Sequence, residues 1–490
     1  MLLEKLLQGV KVLNKYKNIN VNDIQIDSRE VKKGDVFIAL KGSEKDGNDY
    51  VADAIRNGAS AIVSEENLAV ENLVRVENAR SAYALMSKHF FGDACDEMRM
   101  IAITGTNGKT TTSNTISSLL ETAGAKVSTI GTLGAKFDGV VVDTKMTTPD
   151  PYQLHKFLSA VKRKGCEFVV MEASAHALAL DKLDGIKFDI GVLTNITEDH
   201  LDFFDNMSNY ANAKYKLFQD GRAKLGIVCD RGRLKEELSS ISQTPLIFYS
   251  GRENEVVASD INKNITASEF DCRFVDEKMH IHTPLVGGYN IENALAAIAV
   301  CKSLGIDSKL IKLGMSCLPP VEGRFNVISM KGQNIIIDFA HTPDGLEKVL
   351  ATAKELSKGK VVVVFGCGGN RDKKKRPIMG SVASSLADEV ILTSDNPRYE
   401  KPLDIIDDIR KGMADSPFII PDRKQAIEYA LSTFKNGETI VIAGKGGEKV
   451  QSIGGKDYPY NDFDVVYNFF RNKIKQVPKS DKDIFDYEKE

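Results

Sequence analysis

An apolar run that leads into a glycine-rich loop constrains the fold of this chain more than any other feature. Residues 100–103 (MIAI) predict a strand, residues 104–112 (TGTNGKTTT) a tight loop, and residues 113–123 a helix. Glycines let such a loop turn until its N–H groups face an anion, and the N-terminus of the following helix adds a favourable dipole. This order predicts a phosphate-binding loop; the alternative is a Gly/Thr-rich turn that binds nothing.

Two side chains of the loop extend this prediction. Lys109 can reach the outer phosphates of a nucleotide, and the hydroxyl of Thr110 can ligate Mg²⁺. The spacing Gly-x-x-Gly-Lys-Thr is two residues tighter than in the usual phosphate loop. The residues expected to bind the nucleotide here are Gly105, Thr106, Asn107, Gly108, Lys109, Thr110 and Thr111. The loop alone does not distinguish a phosphohydrolase from a ligase.

The rest of the chain alternates apolar runs with helical patterns. At 490 residues it is too long for one core, and three segments differ in texture. Continuous apolar runs separated by helices predict parallel sheets that are buried on both faces. They lie at residues 168–171, 190–193, 335–337, 361–365, 390–392 and 440–442. The expected fold is α/β with three domains, of which the central one is a parallel-sheet ATPase with a phosphate loop and the last is Rossmann-like.

The segment boundaries are placed by composition and by proline. We expect a first domain at residues 1–96, a central ATP-binding domain at 97–320 and a C-terminal domain at 321–477. Pro319 and Pro320 should end the helix that precedes the last boundary. The charged tail at residues 478–490 is expected to be disordered.

Composition argues against several classes of protein. The net charge of −3 gives no reason to expect a nucleic-acid partner. No apolar run reaches the roughly 18 residues that a membrane span needs. The N-terminus lacks the features of a secretory signal and predicts a short amphipathic helix instead. The seven cysteines form no C-x-x-C pair, so we expect free buried thiols in a reducing cytoplasm.

Two further side chains suggest a metal site. Glu172 ends one apolar run, and His200 follows the next. In open α/β sheets the carboxyl ends of the strands face the ligand crevice. A carboxylate and a neutral imidazole could hold a divalent ion there. A surface glutamate and a hydrogen-bonded histidine without a ligand are the alternative.

Together these residues resemble a known family, the Mur ligases. The resemblance covers nearly the whole chain and rests on the phosphate loop, Glu172, Thr194 and Asn195, Asp199 and His200, and the sequence YANAK at residues 210–214. It implies an ATP- and Mg²⁺-dependent ligase in which a substrate carboxylate attacks the γ-phosphate of ATP. The resulting acyl phosphate is then attacked by an amine, and phosphate leaves.

The resemblance also implies roles for individual residues. Lys214 would be carbamylated, which gives it a carboxylate-like group for Mg²⁺. The implied catalytic residues are Lys109, Glu172, His200 and Lys214, and the implied metal ligands are Thr110, Glu172, His200 and Lys214 as carbamate. Further implied ATP contacts are Asn290, Asn293, Arg324, Asp338 and His341.

Within the family the chain resembles the branch that adds the third residue of the stem peptide in peptidoglycan precursor synthesis. The matching stretches are IDSR at residues 26–29, GSEKDG at 42–47, TTPD at 147–150 and EASAH at 172–176. They imply a UDP-MurNAc-dipeptide substrate. Its implied contacts are Ile26, Ser28, Ser43, Thr147, Thr148, Ser174 and Lys182. On chemistry alone, hydroxyls in loops serve equally well to cap turns.

Motifs of the last segment imply the second substrate. They are GCGGNRD at residues 366–372, DNPR at 395–398 and GKGGE at 444–448. The implied amino-acid contacts are Arg371, Asp395, Asn396, Pro397, Arg398, Gly444 and Glu448. The DNPR form implies meso-diaminopimelate, because a guanidinium can bind the second carboxylate of that amino acid with two hydrogen bonds. A surface salt bridge is the alternative for Arg398.

The chain departs from the family pattern at three positions. Leu180 stands where glutamine is usual, Lys182 where arginine is frequent, and Gly447 where histidine is usual. Four alternatives therefore stay open: a lysine-adding or paralogous ligase, a ligase like folylpolyglutamate synthase, a simple phosphohydrolase, and a catalytically silent nucleotide-binding regulator. We expect a monomer.

Overall fold

The apolar runs identified in the sequence become central strands of the two larger sheets. The computed structural model describes residues 1–42, 45–330, 332–434 and 437–475, and the expected disordered tail lies outside them. Within these residues the chain forms sheets of four, eleven and six strands and one two-stranded ribbon. Each large sheet is built from one stretch of the chain, and the predicted α/β class with three units is confirmed.

The first stretch folds into four short parallel strands covered by helices. The strands lie in chain order: β1 (Ile24–Gln25), β2 (Val36–Ile38), β3 (Ala61–Ser64) and β4 (Leu73–Arg75). The helices are α1 (Leu3–Leu6), α2 (Val51–Arg56) and α3 (Ala79–Phe90). Leu3 and Leu6 are fully buried against this sheet, so the amphipathic N-terminal helix predicted from the sequence is confirmed.

The second stretch forms the largest sheet, whose middle strands are parallel and whose two ends are antiparallel. The strand order is β15-β14-β13-β12-β11-β10-β5-β9-β6-β7-β8. The strands are β5 (Arg99–Thr104), β6 (Val127–Gly131), β7 (Gly134–Phe137), β8 (Val140–Val142), β9 (Phe168–Glu172), β10 (Phe188–Leu193), β11 (Ala223–Cys229), β12 (Leu246–Tyr249), β13 (Val256–Lys263), β14 (Ser268–Phe274) and β15 (Glu277–Thr283).

Helices cover both faces of this sheet. They are α4 (Lys109–Thr122), α5 (Pro151–Arg163), α6 (Ala175–Ala179), α7 (Leu201–Phe204), α8 (Met207–Tyr215), α9 (Leu234–Ile241), α10 (Gly288–Ser303) and α11 (Ser308–Ser316). On one face Ile116 and Leu119 of α4 pack with Leu295 of α10 over Ile101 and Ile103 of β5. Burial of this apolar surface fixes α4, and with it the loop from which α4 emerges.

The third stretch forms a six-stranded sheet that is parallel except at β16. Its order is β16-β17-β21-β18-β19-β20. The strands are β16 (Asn326–Met330), β17 (Gln333–Asp338), β18 (Val361–Phe365), β19 (Glu389–Leu392), β20 (Phe418–Ile419) and β21 (Thr439–Ala443), and the ribbon is β22 (Val450–Ile453) with β23 (Lys456–Pro459). Its helices are α12 (Pro343–Leu356), α13 (Lys375–Leu386), α14 (Pro402–Arg410), α15 (Arg423–Thr433) and α16 (Asp462–Lys475).

The structure also bears on two smaller predictions, the end of helix α11 and the burial of the cysteines. Helix α11 ends at Ser316, just before the proline pair, as predicted. All seven cysteines are free, but Cys317 is exposed, so the expectation of buried thiols is wrong there, because this residue lies in the connection after α11 and not in a core. Among the described residues, no helix combines the length and apolar character that crossing a membrane requires.

Candidate active site

The phosphate loop leaves β5 at the middle of the largest sheet, between β9 and β10. Its two glycines have positive φ angles, 144° at Gly105 and 85° at Gly108. A Cβ on Gly105 would lie 1.9 Å from Oγ1 of Thr194, and one on Gly108 would lie 2.3 Å from Oδ1 of Asn293. Both positions therefore require glycine, for their backbone angles and for the close approach of neighbouring strand and helix residues.

Residues after β10 hold the loop in place. The backbone N–H of Asn107 donates to Oδ1 of Asn195 at 2.9 Å, and Thr194 donates to the Asn107 carbonyl oxygen at 2.6 Å. Oγ1 of Thr106 lies 3.2 Å from the hydroxyl of Tyr210. These contacts give the loop a defined shape before any ligand binds.

The ammonium of Lys109 folds back over this loop. Its Nζ donates to the carbonyl oxygens of Gly105 and Thr106, both at 2.8 Å. Burial lowers the pKa of Lys109, and Glu172 and Asp199 counteract that effect through their charges. Two backbone carbonyl groups thus hold the Lys109 amine at the mouth of the loop.

The loop forms one wall of a cavity of about 240 Å³. The four predicted catalytic residues, Lys109, Glu172, His200 and Lys214, all line it. Other predicted site residues in its wall are Gly105, Thr106, Asn107, Gly108, Thr110, Thr111, Thr147, Ser174, Arg324 and His341. The structure therefore brings together side chains that are spread over more than 200 positions of the sequence.

Glu172 is the last residue of β9 and is almost fully buried, with 1% of its surface exposed. The backbone N–H of Thr132 donates to its Oε1 at 3.0 Å, and the Thr132 hydroxyl donates to its Oε2 at 3.2 Å. Gly131 makes this possible, because a Cβ there would lie 2.2 Å from Oε1 of Glu172. The carboxylate is thereby oriented at the cavity wall.

His200 stands at the N-terminus of α7 with a left-handed backbone, φ 56°. Its Nε2 lies 3.3 Å from Oδ2 of Asp199. Burial lowers the pKa of His200 despite the charge of Asp199. The ring is thus biased towards the neutral form, which is the form that binds metals.

Lys214 lines the cavity and is 1% exposed. Its Nζ sits 4.1 Å from the centroid of the Tyr210 ring. Within the described part of the chain, no carboxylate pairs with it and no acceptor takes its hydrogen bond. Burial, followed by the charge of Lys109, lowers the pKa of Lys214 well below its usual range. Burial therefore favours the neutral amine more strongly here than at an exposed lysine.

A second cavity, of about 380 Å³, adjoins the first and shares Thr111 and Arg324 with it. Asn290 lines this cavity together with the apolar residues Leu285, Val286 and Leu318. Asn293 lies instead beneath the phosphate loop and donates to Oδ1 of Asn290 at 3.0 Å. The two predicted asparagines are therefore neighbours, but only Asn290 reaches the cavity wall.

The third segment contributes to the first cavity through its connecting loop. Nη2 of Arg324 donates to Oγ1 of Thr110 at 3.0 Å. Asp338 lies behind this loop, where it accepts hydrogen bonds from the backbone N–H groups of Phe325 at 2.7 Å and Ala340 at 2.8 Å. Burial raises the pKa of Asp338 to about 6. It lines neither cavity and supports Arg324 from behind.

Three of the predicted UDP-substrate residues gather beside Glu172. The hydroxyl of Thr148 donates to the Glu172 carbonyl oxygen at 2.8 Å and to Oγ of Ser174 at 3.2 Å. Thr147 lies 3.2 Å, hydroxyl to hydroxyl, from Thr132. Ser174 also caps α6, so the structural role considered for these hydroxyls is present as well.

The other predicted UDP-substrate residues lie elsewhere. Lys182 forms an ion pair with Asp150, 2.6 Å between Nζ and Oδ1. Ile26 is exposed and Ser28 is buried, both just beyond β1 in the first sheet, and neither lines the two cavities described above. Ser43 is outside the described residues.

The predicted amino-acid residues form a separate polar cluster on the third sheet. The side-chain amide of Asn396 donates to Oε2 of Glu448 at 2.9 Å. Lys445 joins both, donating to Oε2 of Glu448 at 2.6 Å and to Oδ1 of Asn396 at 2.9 Å. Lys445 is completely buried and was not among the predicted site residues, although it lies inside the GKGGE motif.

Arg398 lies at the edge of this cluster in a left-handed conformation, φ 51°. Its Nη1 donates to the Gly369 carbonyl oxygen at 2.6 Å, and its backbone N–H donates to Ser452 at 3.0 Å. Burial and the charge of the exposed Arg371 lower the pKa of Arg398. A left-handed arginine is uncommon and is held here by the ribbon that contains Ser452.

One acceptor of the cluster has no partner. Oδ2 of Asp395 is buried and receives no hydrogen bond in the described structure. Gly444, with φ 114°, faces it so closely that a Cβ would lie 2.6 Å from this oxygen. A buried carboxylate oxygen without a donor is unfavourable, and a donor group of a bound ligand would satisfy it.

Comparison with known proteins agrees with this geometry. Residues 103–301 match the Mur ligase middle domain, residues 323–446 the Mur ligase glutamate ligase domain, and residues 20–91 the Mur ligase family catalytic domain. The UDP-N-acetylmuramoyl-L-alanyl-D-glutamate–2,6-diaminopimelate ligase of Clostridium tetani is 38% identical over 93% of this chain and 96% of its own length. The chain belongs to the Mur ligase family.

Two further comparisons lead to the same family. The protein of the same description from Clostridium perfringens is 38% identical over 96% of this Mur ligase and 100% of its own length. A solved structure of a UDP-N-acetylmuramoyl-L-alanyl-D-glutamate–2,6-diaminopimelate ligase superposes with a TM-score of 0.68 at 31% identity. The alignment covers 93% of this chain and 95% of that one.

Sequence reasoning missed several residues of this Mur ligase that touch the predicted ones. Thr132 orients Glu172, Tyr210 contacts Lys214, and Lys445 joins Asn396 to Glu448. Tyr210 and Lys445 could have been found from the sequence, because they lie inside the YANAK and GKGGE motifs. Thr132 could not, because its contact with Glu172 spans 40 positions.

A buried ion pair ties together the two loops of the amino-acid cluster. The completely buried Arg376 donates to both carboxylate oxygens of Glu400 at 2.9 Å and to the carbonyl oxygen of Gly368. These hydrogen bonds lower the pKa of Glu400 from 4.5 to about 2. The depressed pKa means that the ionised carboxylate stabilises the folded state above about pH 4.5, and that this contribution is lost as the pH falls towards 2.

We therefore expect Glu400→Gln to lower the free energy of unfolding at pH 7 by up to about 3 kcal/mol. The substitution leaves the Arg376 charge partly unpaired. Urea unfolding at pH 7 and at several values below pH 4.5 measures the effect, with Glu253→Gln, at an exposed glutamate, as the control. The difference from the unmodified protein should shrink as the pH falls, and a difference that does not depend on pH would contradict the assignment.

Proposed function

We propose that this Mur ligase couples ATP hydrolysis to the addition of meso-diaminopimelate to UDP-N-acetylmuramoyl-L-alanyl-D-glutamate, in peptidoglycan precursor synthesis. The observation that carries the proposal is the first cavity, where the phosphate loop, Glu172, His200, Lys214 and Arg324 meet. The Arg398 cluster supplies a separate place for an amino acid. The relatives from Clostridium tetani and Clostridium perfringens, which are diaminopimelate-adding ligases by description, support the choice of substrates.

ATP would span the two adjoining cavities. The loop residues 105–111 would bind its phosphates through backbone N–H groups and the Lys109 ammonium. The base would enter the larger cavity, where Asn290 offers an amide among apolar side chains. Asn293 would act indirectly by fixing Asn290 and Gly108, and Asp338 by fixing the loop of Arg324.

The residues of the first cavity suit Mg²⁺ only with one further ligand. Among the described residues, no group of three His, Cys, Asp or Glu side chains could hold a metal ion. Thr110, Glu172 and His200 would therefore need Lys214 as a carbamate, whose oxygens suit a hard cation. The amine of Lys214, whose pKa is lowered by burial, fits carbamate formation. Bound Mg²⁺ would neutralise phosphate charge and orient the reacting oxygens.

The protein's own groups then account for the steps. Lys109 and Arg324 offset the negative charge that accumulates when a carboxylate approaches the γ-phosphate. His341 closes the cavity from the third segment. The carboxylate oxygen displaces ADP to give an acyl phosphate, and the amine of the incoming amino acid then attacks the acyl carbon. That amine loses a proton and phosphate leaves.

The third-segment cluster would hold the amino acid. The unpartnered oxygen of Asp395 would accept a hydrogen bond from an ammonium group, with Asn396 and Glu448 beside it. Arg398 and the exposed Arg371 would attract the distal carboxylate. Pro397 and Gly444 would shape the pocket. Any residue larger than glycine at position 444 would place its Cβ too close to the Asp395 carboxylate.

The UDP-sugar substrate would lie across the first two segments. Thr147, Thr148 and Ser174 would meet its reacting end beside Glu172, and the first sheet would bind the uridine end through Ile26, Ser28 and Ser43. Lys182 would contribute a charge. We further propose domains at residues 1–96, 97–320 and 321–477 and a cytoplasmic monomer.

A phosphate-release assay tests this function. UDP-N-acetylmuramoyl-L-alanyl-D-glutamate and ATP are supplied with a panel that contains meso-diaminopimelate, L-lysine and other amino acids. Release that depends on meso-diaminopimelate is expected, with a product heavier by one diaminopimelate residue. Release with lysine alone would indicate a lysine-adding enzyme, and release with a folate and glutamate a folylpolyglutamate synthase. ATP binding without turnover would indicate a regulator.

Ligand-dependent closure is a further prediction. The loop at residues 317–325 is the covalent connection between the second and third segments, and polar contacts such as Asn107–Asp344 and Thr110–Arg324 join them across the cavity. Nucleotide and substrate bound between these segments should draw them together. Small-angle scattering should therefore give a smaller radius of gyration with both ligands than with the UDP-sugar alone. An identical radius in every liganded state would contradict closure near Pro319 and Pro320.

A further inference from the structure

A cluster of aromatic rings surrounds His200, and one of its members has no role in the function proposed above. The ring of His176 meets the ring of His200 edge-to-face, with centroids 4.8 Å apart and planes at 85°. The same ring lies 4.5 Å from Phe203 and 5.3 Å from Phe204. His176 thus contacts three residues of the short turn that carries His200.

The backbone of that turn adopts angles that are unfavourable on their own. His200, with φ 56°, and Asp205, with φ 64°, flank the four-residue helix α7 and are both left-handed. Residues other than glycine rarely adopt this conformation. Packing must therefore hold the turn, and Phe204 provides part of it by burial against Ala175 and Tyr210.

His176 itself is well anchored. It lies on α6, four residues after Glu172, and the N-terminus of α6 is capped by Ser174, which accepts from the N–H of Ala177 at 3.2 Å. The strand end that carries Glu172 thus continues directly into the helix that carries His176. The His176 ring connects the position of Glu172 to that of His200.

The contacts of His176 are made by its ring and not by its nitrogens. Among the described residues, neither ring nitrogen forms a hydrogen bond or an ion pair. A flat ring of this size is thus the property that the surrounding structure uses. A polar role towards a substrate is the competing explanation, since His176 also lines the first cavity.

We propose that His176 is a positioning residue whose ring holds the His200 imidazole in the orientation that binds the divalent cation beside Glu172. The proposal rests on the metal site proposed above. Residues that orient metal-binding histidines typically change metal affinity by about 10- to 100-fold when they are replaced. Loss of the ring should therefore weaken cation binding by about tenfold or more and leave nucleotide binding intact.

The test uses the full-length protein with saturating ADP and Mn²⁺ as the probe, and free Mn²⁺ is measured by electron paramagnetic resonance. His176→Ala should bind Mn²⁺ at least about tenfold more weakly. His176→Phe keeps a flat ring without the nitrogens and should bind within about threefold of the unmodified protein. His280→Ala, at an exposed histidine on β15, is the matched control and should not change the affinity.

Activity gives a second readout. The Mg²⁺ concentration for half-maximal phosphate release should rise for His176→Ala, while kcat at saturating Mg²⁺ recovers most of its value. Should His176→Ala fail to fold, as shown by its melting temperature, His176→Leu fills the same space without a flat ring and replaces it. Normal Mn²⁺ binding in the variant that lacks the ring would overturn the proposal, and so would a His176→Phe variant as weak as His176→Ala.

His200→Ala separates this proposal from the proposed function. If it removes the Mn²⁺ site while the unmodified protein releases phosphate with no substrate of the panel, the proposed reaction fails but the dependence on His176 can still be measured. If His200→Ala binds Mn²⁺ normally, His200 is not a ligand and the positioning role of His176 is overturned.

Discussion

Lys214→Ala is expected to reduce kcat for phosphate release by at least about a hundredfold. The reason is that a metal ion supplies several kcal/mol of charge stabilisation in reactions of this kind, and each 1.4 kcal/mol corresponds to about a factor of ten. Lys214 is 1% exposed and has no charged partner among the described residues, so an unmodified ammonium there would be unfavourable and would repel a cation. Short-chain carboxylic acids added to Lys214→Ala should restore part of the activity, because they can occupy the place of the carbamate.

Two further variants sharpen this prediction. Lys214→Arg keeps a positive charge but cannot form the carbamate, so it should be as inactive as Lys214→Ala. Lys224→Ala removes an exposed lysine and should behave like the unmodified protein. An active Lys214→Arg would show that a cation is needed at this position, and near-normal activity of Lys214→Ala would show that Lys214 has no role in catalysis.

The sequence was sufficient for the central strands of the two larger sheets, because these strands are continuous apolar runs. Residues 168–171, 361–365 and 440–442 lie within β9, β18 and β21, whose buried faces require such runs. The position of Glu172 at the end of β9 followed from the same pattern, because the sequence itself shows a carboxylate directly after an apolar run. The pattern of residues along the chain thus predicted the strands that position the site.

The fine geometry of the site could not be predicted in this way because it depends on distant contacts. Asp395 and Gly444 are 49 positions apart, and the need for glycine at 444 appears only when the Asp395 carboxylate is seen against it. Pro397 suggested a fixed direction for Arg398, but not its left-handed backbone. That conformation is set by hydrogen bonds with Ser452 and Gly454 of the ribbon.

Family resemblance contributed what physical chemistry alone could not. A buried lysine on α8 has no local signal that separates a carbamate from an ammonium, and hydroxyls such as those of Thr148 and Ser174 form structural hydrogen bonds in any case. The resemblance selected these residues, and the structure then gave physical reasons to examine them.

Replacement of Arg398 is expected to change which amino acid this Mur ligase accepts. Within the guanidinium of Arg398, only Nη1 has a hydrogen-bond partner among the described residues, the Gly369 carbonyl oxygen, so the other guanidinium N–H groups are available to a ligand. A bidentate contact with the second carboxylate of meso-diaminopimelate would consist of two charge-assisted hydrogen bonds, each worth about 1.5–3 kcal/mol. L-Lysine lacks this carboxylate and would bring an ammonium towards Arg398 and Arg371.

The unmodified enzyme should therefore favour meso-diaminopimelate over L-lysine by about a hundredfold or more in kcat/KM. Arg398→Ala should raise KM for meso-diaminopimelate far more than KM for ATP, because ATP binds at the phosphate loop. Arg398→Lys keeps the charge but loses the bidentate geometry, so it should retain only part of the preference. Arg410→Ala, at an exposed arginine of α14, is the control and should leave both constants unchanged.

The decisive measurement is kcat/KM for both amino acids in all four proteins. A preference for lysine in the unmodified enzyme, or a preference that survives Arg398→Ala unchanged, would remove Arg398 from the specificity site. In that event the distal carboxylate would have to be read by Arg371, and Arg371→Ala would show the loss of preference instead. Ligase chemistry itself would remain supported under either outcome, because it depends on the first cavity, and Arg398 does not line that cavity.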